Sequence, residues 1–78
     1  MFSYTIAKNA DSAEFHRICK AIEALFELSS VQPLVEDVDG TLIRIYKTKQ
    51  GEITVVNDCY VDAVYVDSEV EIRIEDIK

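Results

Sequence analysis

Between Asp11 and Leu28 the apolar residues recur at helical spacing. Phe15, Ile18, Cys19, Ile22, Leu25 and Phe26 fall within one arc of about 120° on a helical wheel. His16, Arg17, Lys20, Glu23, Ala24 and Glu27 take the other side. This i, i+3, i+4, i+7 pattern predicts an amphipathic helix with one buried face. Asp11 suits the N-cap, and Glu14, three residues on, can reach back to the cap amide. Ser29-Ser30 and then Pro33 end the helix, because proline disfavours helical geometry in the residue before it.

The rest of the chain has period two. Phe2, Tyr4 and Ile6 alternate with Ser3, Thr5 and Ala7, which predicts a short strand. After the helix, Val31 to Val38 reads as a second strand. Asp39-Gly40 then predicts a type I′ hairpin turn into the run from Thr41 to Lys47, with positive φ at both central positions. A looser turn through Gly51 leads to a strand over Glu52 to Val56, and Asn57-Asp58 marks a turn into Cys59 to Val66. The last run, Glu69 to Glu75, alternates without error, Val70, Ile72 and Ile74 against Glu69, Glu71, Arg73 and Glu75. That is the signature of a half-buried strand.

The expected fold is a single α+β domain over residues 1–78. One helix packs on one face of a curved antiparallel sheet, in the order β-α-β-β-β-β-β. Placing the β-branched residues against the helix puts Ile43, Ile45, Ile53, Val55, Val61, Ala63, Val70, Ile72 and Ile74 inward. The uncovered face then carries Leu42, Arg44, Tyr46, Thr54, Val56, Tyr60, Asp62, Val64 and Val66. That face has an apolar centre and an acidic edge, with tyrosines suited to an interface.

Charge sharpens this picture. Fifteen acidic residues against eight basic ones give a net charge of −7, which speaks against direct contact with nucleic acid or an anionic membrane. Nearly all of that excess falls after residue 51. No apolar run approaches the ~18–20 residues of a membrane span, and the first residues lack a secretory pattern, so the expected location is cytoplasmic. Cys19 and Cys59 stand 40 positions apart without metal or redox spacing, and both are expected as small buried apolar side chains.

Enzyme chemistry finds no support. His16, the one histidine, is expected on the solvent side of the helix, without a nucleophile or orienting partner at any recognisable spacing. Gly40 and Gly51 stand alone in turns, so no phosphate loop exists. Glu36-Asp37-Val38-Asp39-Gly40 lacks the order of a calcium loop, and no cofactor or metal is expected. A catalytic or small-molecule cleft would need ~300 Å3 or more between helix and sheet, hard to hollow out at this size.

The remaining feature is the acidic last third beside the tyrosines. Tyr46 and Tyr60 are the candidate anchors, with Asp58, Asp62, Asp67, Glu69, Glu71, Glu75 and Asp76 as an acidic surface for a basic protein partner. The bland alternative is that these charges only keep a small protein soluble. In size and charge the chain resembles small acidic antagonists that phages and mobile elements direct against nucleic-acid-binding proteins, although no motif identifies a family. The expected function is thus a non-enzymatic interaction module, an inhibitor or nucleic-acid mimic acting on such a target. The second expectation is a homodimeric module closing through the uncovered sheet face or a sheet edge.

Overall fold

The computed structural model describes residues 1–77. In chain order the elements are β1 (Phe2–Ala7), α1 (Ser12–Leu25), β2 (Leu28–Val31), β3 (Val35–Glu36), β4 (Leu42–Thr48), β5 (Glu52–Asp58), β6 (Ala63–Ser68) and α2 (Ile74–Ile77). The architecture is α+β: the main helix lies on one face of a six-stranded antiparallel sheet of order β1-β6-β5-β4-β2, with β3 also paired to β4. Because β1 and β2 lie at opposite edges, α1 must carry the chain across the whole sheet. Its 14 residues span about 21 Å. Four inter-strand steps need about 19 Å, so helix length and sheet width match.

Asp11 caps α1, its carboxylate accepting from the Ala13 and Glu14 amides at 2.9 and 3.2 Å. Glu14 does not close a capping box. Its carboxylate instead takes Arg17 in a two-pronged contact at 2.8 and 2.9 Å. Phe15, Ile18, Cys19 and Ile22 are the buried face. They meet Leu42, Tyr46, Ile53, Val55 and Val66 from the sheet and Ile72 and Ile77 from the chain end. The helix stops at Leu25, earlier than its periodicity suggests, and Phe26 turns into extended geometry as Leu28 enters β2.

Three sequence expectations are corrected. The Val31 to Val38 strand is two short strands, β2 and β3, which share one edge of β4. The Gln32–Leu34 break holds Pro33, whose missing amide cannot continue a ladder. The Asp39-Gly40 turn is not type I′, since of its central residues only Gly40 has positive φ, at 92°. The Gly40 amide donates to the Asp37 carbonyl and the Asp37 amide to the Thr41 carbonyl, the pattern of a type I turn closed by a glycine bulge.

The third correction concerns Glu69–Glu75, which is not a strand. β6 ends at Ser68, opposite Phe2 of β1 and Ile53 of β5. A last bond from the Glu69 amide to the Glu52 carbonyl closes the ladder, and beyond it both neighbours have run out. The chain therefore folds over the helix-side face. There the Ile72 amide donates to the Tyr4 hydroxyl at 2.8 Å, and the Arg17 guanidinium to the Ile77 carbonyl at 3.1 Å. The number of strands still matches expectation, because the strand lost here is regained by the split at Pro33.

Two strands are also turned over relative to the expected faces. Tyr46 pairs with Ile53, Arg44 with Val55 and Leu42 with Asn57, so Leu42, Arg44 and Tyr46 face the helix while Ile43 and Ile45 do not. In β6 Val64 and Val66 face inward, opposite Asn57 and Val55, and Ala63 faces out. Expectations hold for Ile53 and Val55. The uncovered face has an apolar row, Val35-Ile43-Val56-Tyr65, crossing four strands.

Ile72 is only 4% exposed and belongs to no strand. Ile72→Ala should therefore lower unfolding free energy by about 2–4 kcal/mol in urea denaturation. The neighbouring Glu71→Ala should change it by less than about 0.5 kcal/mol. Similar losses in the two variants would contradict the burial of Ile72 in the core.

Candidate functional site

Three connections meet at one end of the sheet: the β1–α1 loop, the β3–β4 turn and the β5–β6 turn. Side-chain oxygens build all of them. The Asp58 carboxylate accepts from the Tyr60 and Val61 amides at 2.9 and 3.0 Å, an Asx-type turn that needs no glycine. Asp62 then adopts a left-handed φ of 64°, a conformation that aspartate tolerates better than most residues. Its carboxylate accepts from the Asn9 side chain and the Ala10 amide at 2.9 and 2.8 Å. Those bonds hold the Asp62 carboxyl below its ordinary range, the Ala10 amide contributing most.

The β3–β4 turn is fixed in the same manner. Asp39 accepts from the Thr41 amide at 2.9 Å, which likewise lowers its carboxyl pKa. Asp37 accepts from the Val38 amide. The two turns touch, for the Cys59 amide donates to the Thr41 hydroxyl at 3.1 Å. A Cβ built at Gly40 would stand 3.4 Å from the Cys59 sulfur.

These braced turns project apolar side chains. Val38 is fully exposed at 104%, Tyr60 at 92% and Val61 at 63%. Isolated exposed apolar residues are ordinary, but here three occupy two touching turns. Residues 37–41 and 58–62 contain four aspartates and no lysine or arginine. The result is an apolar tip set among carboxylates whose positions are already fixed.

The structure brings Tyr60, Asp58 and Asp62 together at this end and disperses the other candidates. Asp67 lies on the uncovered face, accepting from Ser3 at 2.6 Å. Glu69 sits at the opposite end of the sheet, its carboxylate accepting from the Glu52 amide at 2.7 Å. Glu71, Glu75 and Asp76 lie on the segment that crosses the helix side, Glu75 at 4.0 Å from Arg73. No single acidic face exists. Val38 and Val61 extend the tip beyond the candidates read from sequence. The signal for Val38 was its place within an Asp-x-Asp-Gly turn, where an apolar side chain has nothing to cover it.

Tyr46 is corrected outright, being wholly buried beneath α1. Its hydroxyl donates to the Glu23 carboxylate at 2.6 Å. Burial first, and the Glu23 carboxylate after it, push its pKa far above the ordinary tyrosine value. It cannot anchor a partner. Cys59 departs from expectation in the other direction, being exposed, whereas Cys19 is buried. Burial raises the Cys19 thiol pKa, which leaves it a poor nucleophile at neutral pH. His16 is exposed, edge-on to Phe15 at 5.3 Å.

Among the described residues, no three or more histidine, cysteine or carboxylate side chains converge as metal ligands. Among the described residues, no helix is long and apolar enough to cross a membrane. Comparison with family models, with curated proteins and with solved structures finds no match.

Asp62 provides a pH test of the bracing. Its carboxyl is depressed in the folded state, so its stabilisation is present above the ordinary aspartate pKa of about 3.9 and lost as pH falls through the lower folded value. Wild type should melt above Asp62→Asn at pH ~6, with the gap closing by pH ~2. A gap independent of pH would remove the charged hydrogen bonds from the account.

Proposed function

We propose that this chain is a non-enzymatic interaction protein that docks on a basic protein surface through the β3–β4 and β5–β6 turns. The observation that carries the reading is the tip itself, Tyr60 at 92% and Val38 at 104% exposure among carboxylates held by their own turn amides. Ordering cost opposes most interfaces, and a braced tip has little of it left to lose. Tyrosine adds contact area with few rotatable bonds, a frequent anchor in binding hot spots. The net charge of −7 supplies long-range attraction toward lysine- and arginine-rich surfaces.

Spaced carboxylates can also stand in for phosphates, so the target class we favour is a nucleic-acid-binding protein whose site this tip occupies. An inhibitor of the phage or mobile-element type would act in this manner. A free, exposed Cys59 suits a reducing compartment, and we place the encounter in the cytoplasm.

A second reading, a homodimer, has one observation of its own. β1, Phe-Ser-Tyr-Thr-Ile-Ala, carries no charge and no proline, and its outer edge pairs with no described strand. Unprotected neutral edges invite a partner strand. The opposite edge is broken at Pro33 and shifts register between Leu28 and Ser30.

The test places a photo-crosslinking residue at position 60, and separately at position 5, in the full chain in cells. An adduct with a basic protein from position 60 is expected. With that partner purified, Tyr60→Ala should weaken binding at least tenfold, and raising salt from about 50 to 500 mM should weaken it further. Unchanged affinity in Tyr60→Ala sinks the tip reading. Adducts from position 5 to a second copy alone, with a salt-insensitive dimer in sedimentation, establish the homodimer instead.

A further inference from the structure

The break at Pro33 has a second effect, on the helix side of the sheet. β2 leaves β4 after Val31, opposite Tyr46, and β3 rejoins it at Val35, opposite Ile43. Arg44 lies between those two positions, so no strand residue flanks it on that edge. Its side chain points under α1, into a notch of about 210 Å3 lined by His16, Lys20, Glu23 and Leu34 above the buried Phe15 and Tyr46.

The chemistry of this notch runs against that of the whole molecule. The chain has fifteen acidic residues, yet Arg44, directed inward, forms no ion pair among the described residues. Its Nε is closed off from solvent and has no hydrogen-bond partner. A shielded donor on a charged group is costly to leave unmade, by more than the worth of an ordinary hydrogen bond. Lys20 and His16 stand at the rim. The one carboxylate in the lining, Glu23, is engaged by the Tyr46 hydroxyl at 2.6 Å. Leu34 supplies apolar surface at the opening, over the buried Phe15 and Tyr46 rings.

We propose that this notch binds a small carboxylate with an apolar body, its carboxylate on the outer nitrogens of the Arg44 guanidinium and its body against Leu34 and the stem of Lys20. A guanidinium matches a planar carboxylate through two parallel N–H bonds, here from the two terminal nitrogens, which unlike Nε are not closed off. Lys20 adds charge at the mouth. The volume lies below the ~300–1,000 Å3 of drug-sized pockets, which limits the ligand to a single ring or short chain. The site is independent of the acidic tip, which lies on other connections.

The experiment is a titration of the 15N-labelled full chain with sodium benzoate, with inorganic phosphate and with sodium chloride at matched ionic strength. The Arg44 Nε–H signal and the Cys19, Lys20 and Leu34 amides report binding. Benzoate should move them saturably, and Arg44→Met should weaken that response at least tenfold. Should Arg44→Met fail to fold, Leu34→Trp, at the exposed mouth, fills the space and should abolish binding while Arg44 remains. The proposal is overturned by the absence of saturation with benzoate, by equal shifts with chloride, by tighter binding of phosphate, or by undiminished binding in the blocking variant.

Discussion

One helix of 14 residues has to seal a sheet of six strands, and the fold follows from how that is done. The helix crosses the sheet from edge to edge, since the strand before it and the strand after it lie on opposite sides. Its buried face, Phe15, Ile18, Cys19 and Ile22, covers a band over β4 and β5. A single helix leaves the β1 side of that face bare. Ile72 and Ile77 close it, and they can only do so by leaving the sheet. The alternation of the last segment therefore serves a different surface from the one it advertises. Tyr4 ties the two together, with its ring against the core and its hydroxyl receiving the Ile72 amide.

The helix and most of the strands were legible from periodicity, because they depend on local patterns, whereas the alternation of Glu69–Glu75 and the break at Pro33 misplaced the others. Faces were not, because they depend on parity. Side chains alternate with period two, so one residue more or less in a turn moves a whole strand's inventory to the other side. The Thr48–Gly51 turn leaves Lys47 opposite Glu52, and this brings Tyr46 and Arg44, not Ile45 and Ile43, beside Ile53 and Val55. At the next turn Asp58 pairs with Ala63, which sends Val64 and Val66 inward. Of the two turns, the first was recognisable as a turn, while the second falls at Cys59–Asp62 and not at Asn57-Asp58, which belong to β5. Their effective lengths were set by side-chain bonds, Thr48 to the Gln50 and Gly51 amides and Asp58 to Tyr60 and Val61, which residue type alone does not count.

The same substitution of side chains for backbone explains why acidic residues misled as a group. Asp58, Asp62, Asp67 and Glu69 each accept a hydrogen bond that fixes a turn or an edge. Charge density along a sequence cannot separate a carboxylate that braces a turn from one that waits for a partner. At the tip the carboxylates brace the turns that leave Val38, Tyr60 and Val61 exposed, and the proposed docking gives the same groups the second role. Elsewhere the carboxylates are distributed over different surfaces.

Pro33 links features that otherwise look unrelated. It ends one edge strand and forces another, and in doing so it protects that edge from pairing. The gap it leaves falls beside Arg44, the one inward-facing position of β4 occupied by a charged side chain. A regular edge strand there would have placed backbone and side chains over the guanidinium and given it partners. An apolar residue at position 44 would have joined Phe15 and Tyr46 in the core. The chain has neither arrangement. A cation directed under a helix, with Nε unmet in a molecule of net charge −7, is costly for folding alone. The proposed carboxylate would meet the guanidinium at its open nitrogens, where the notch leaves them uncovered.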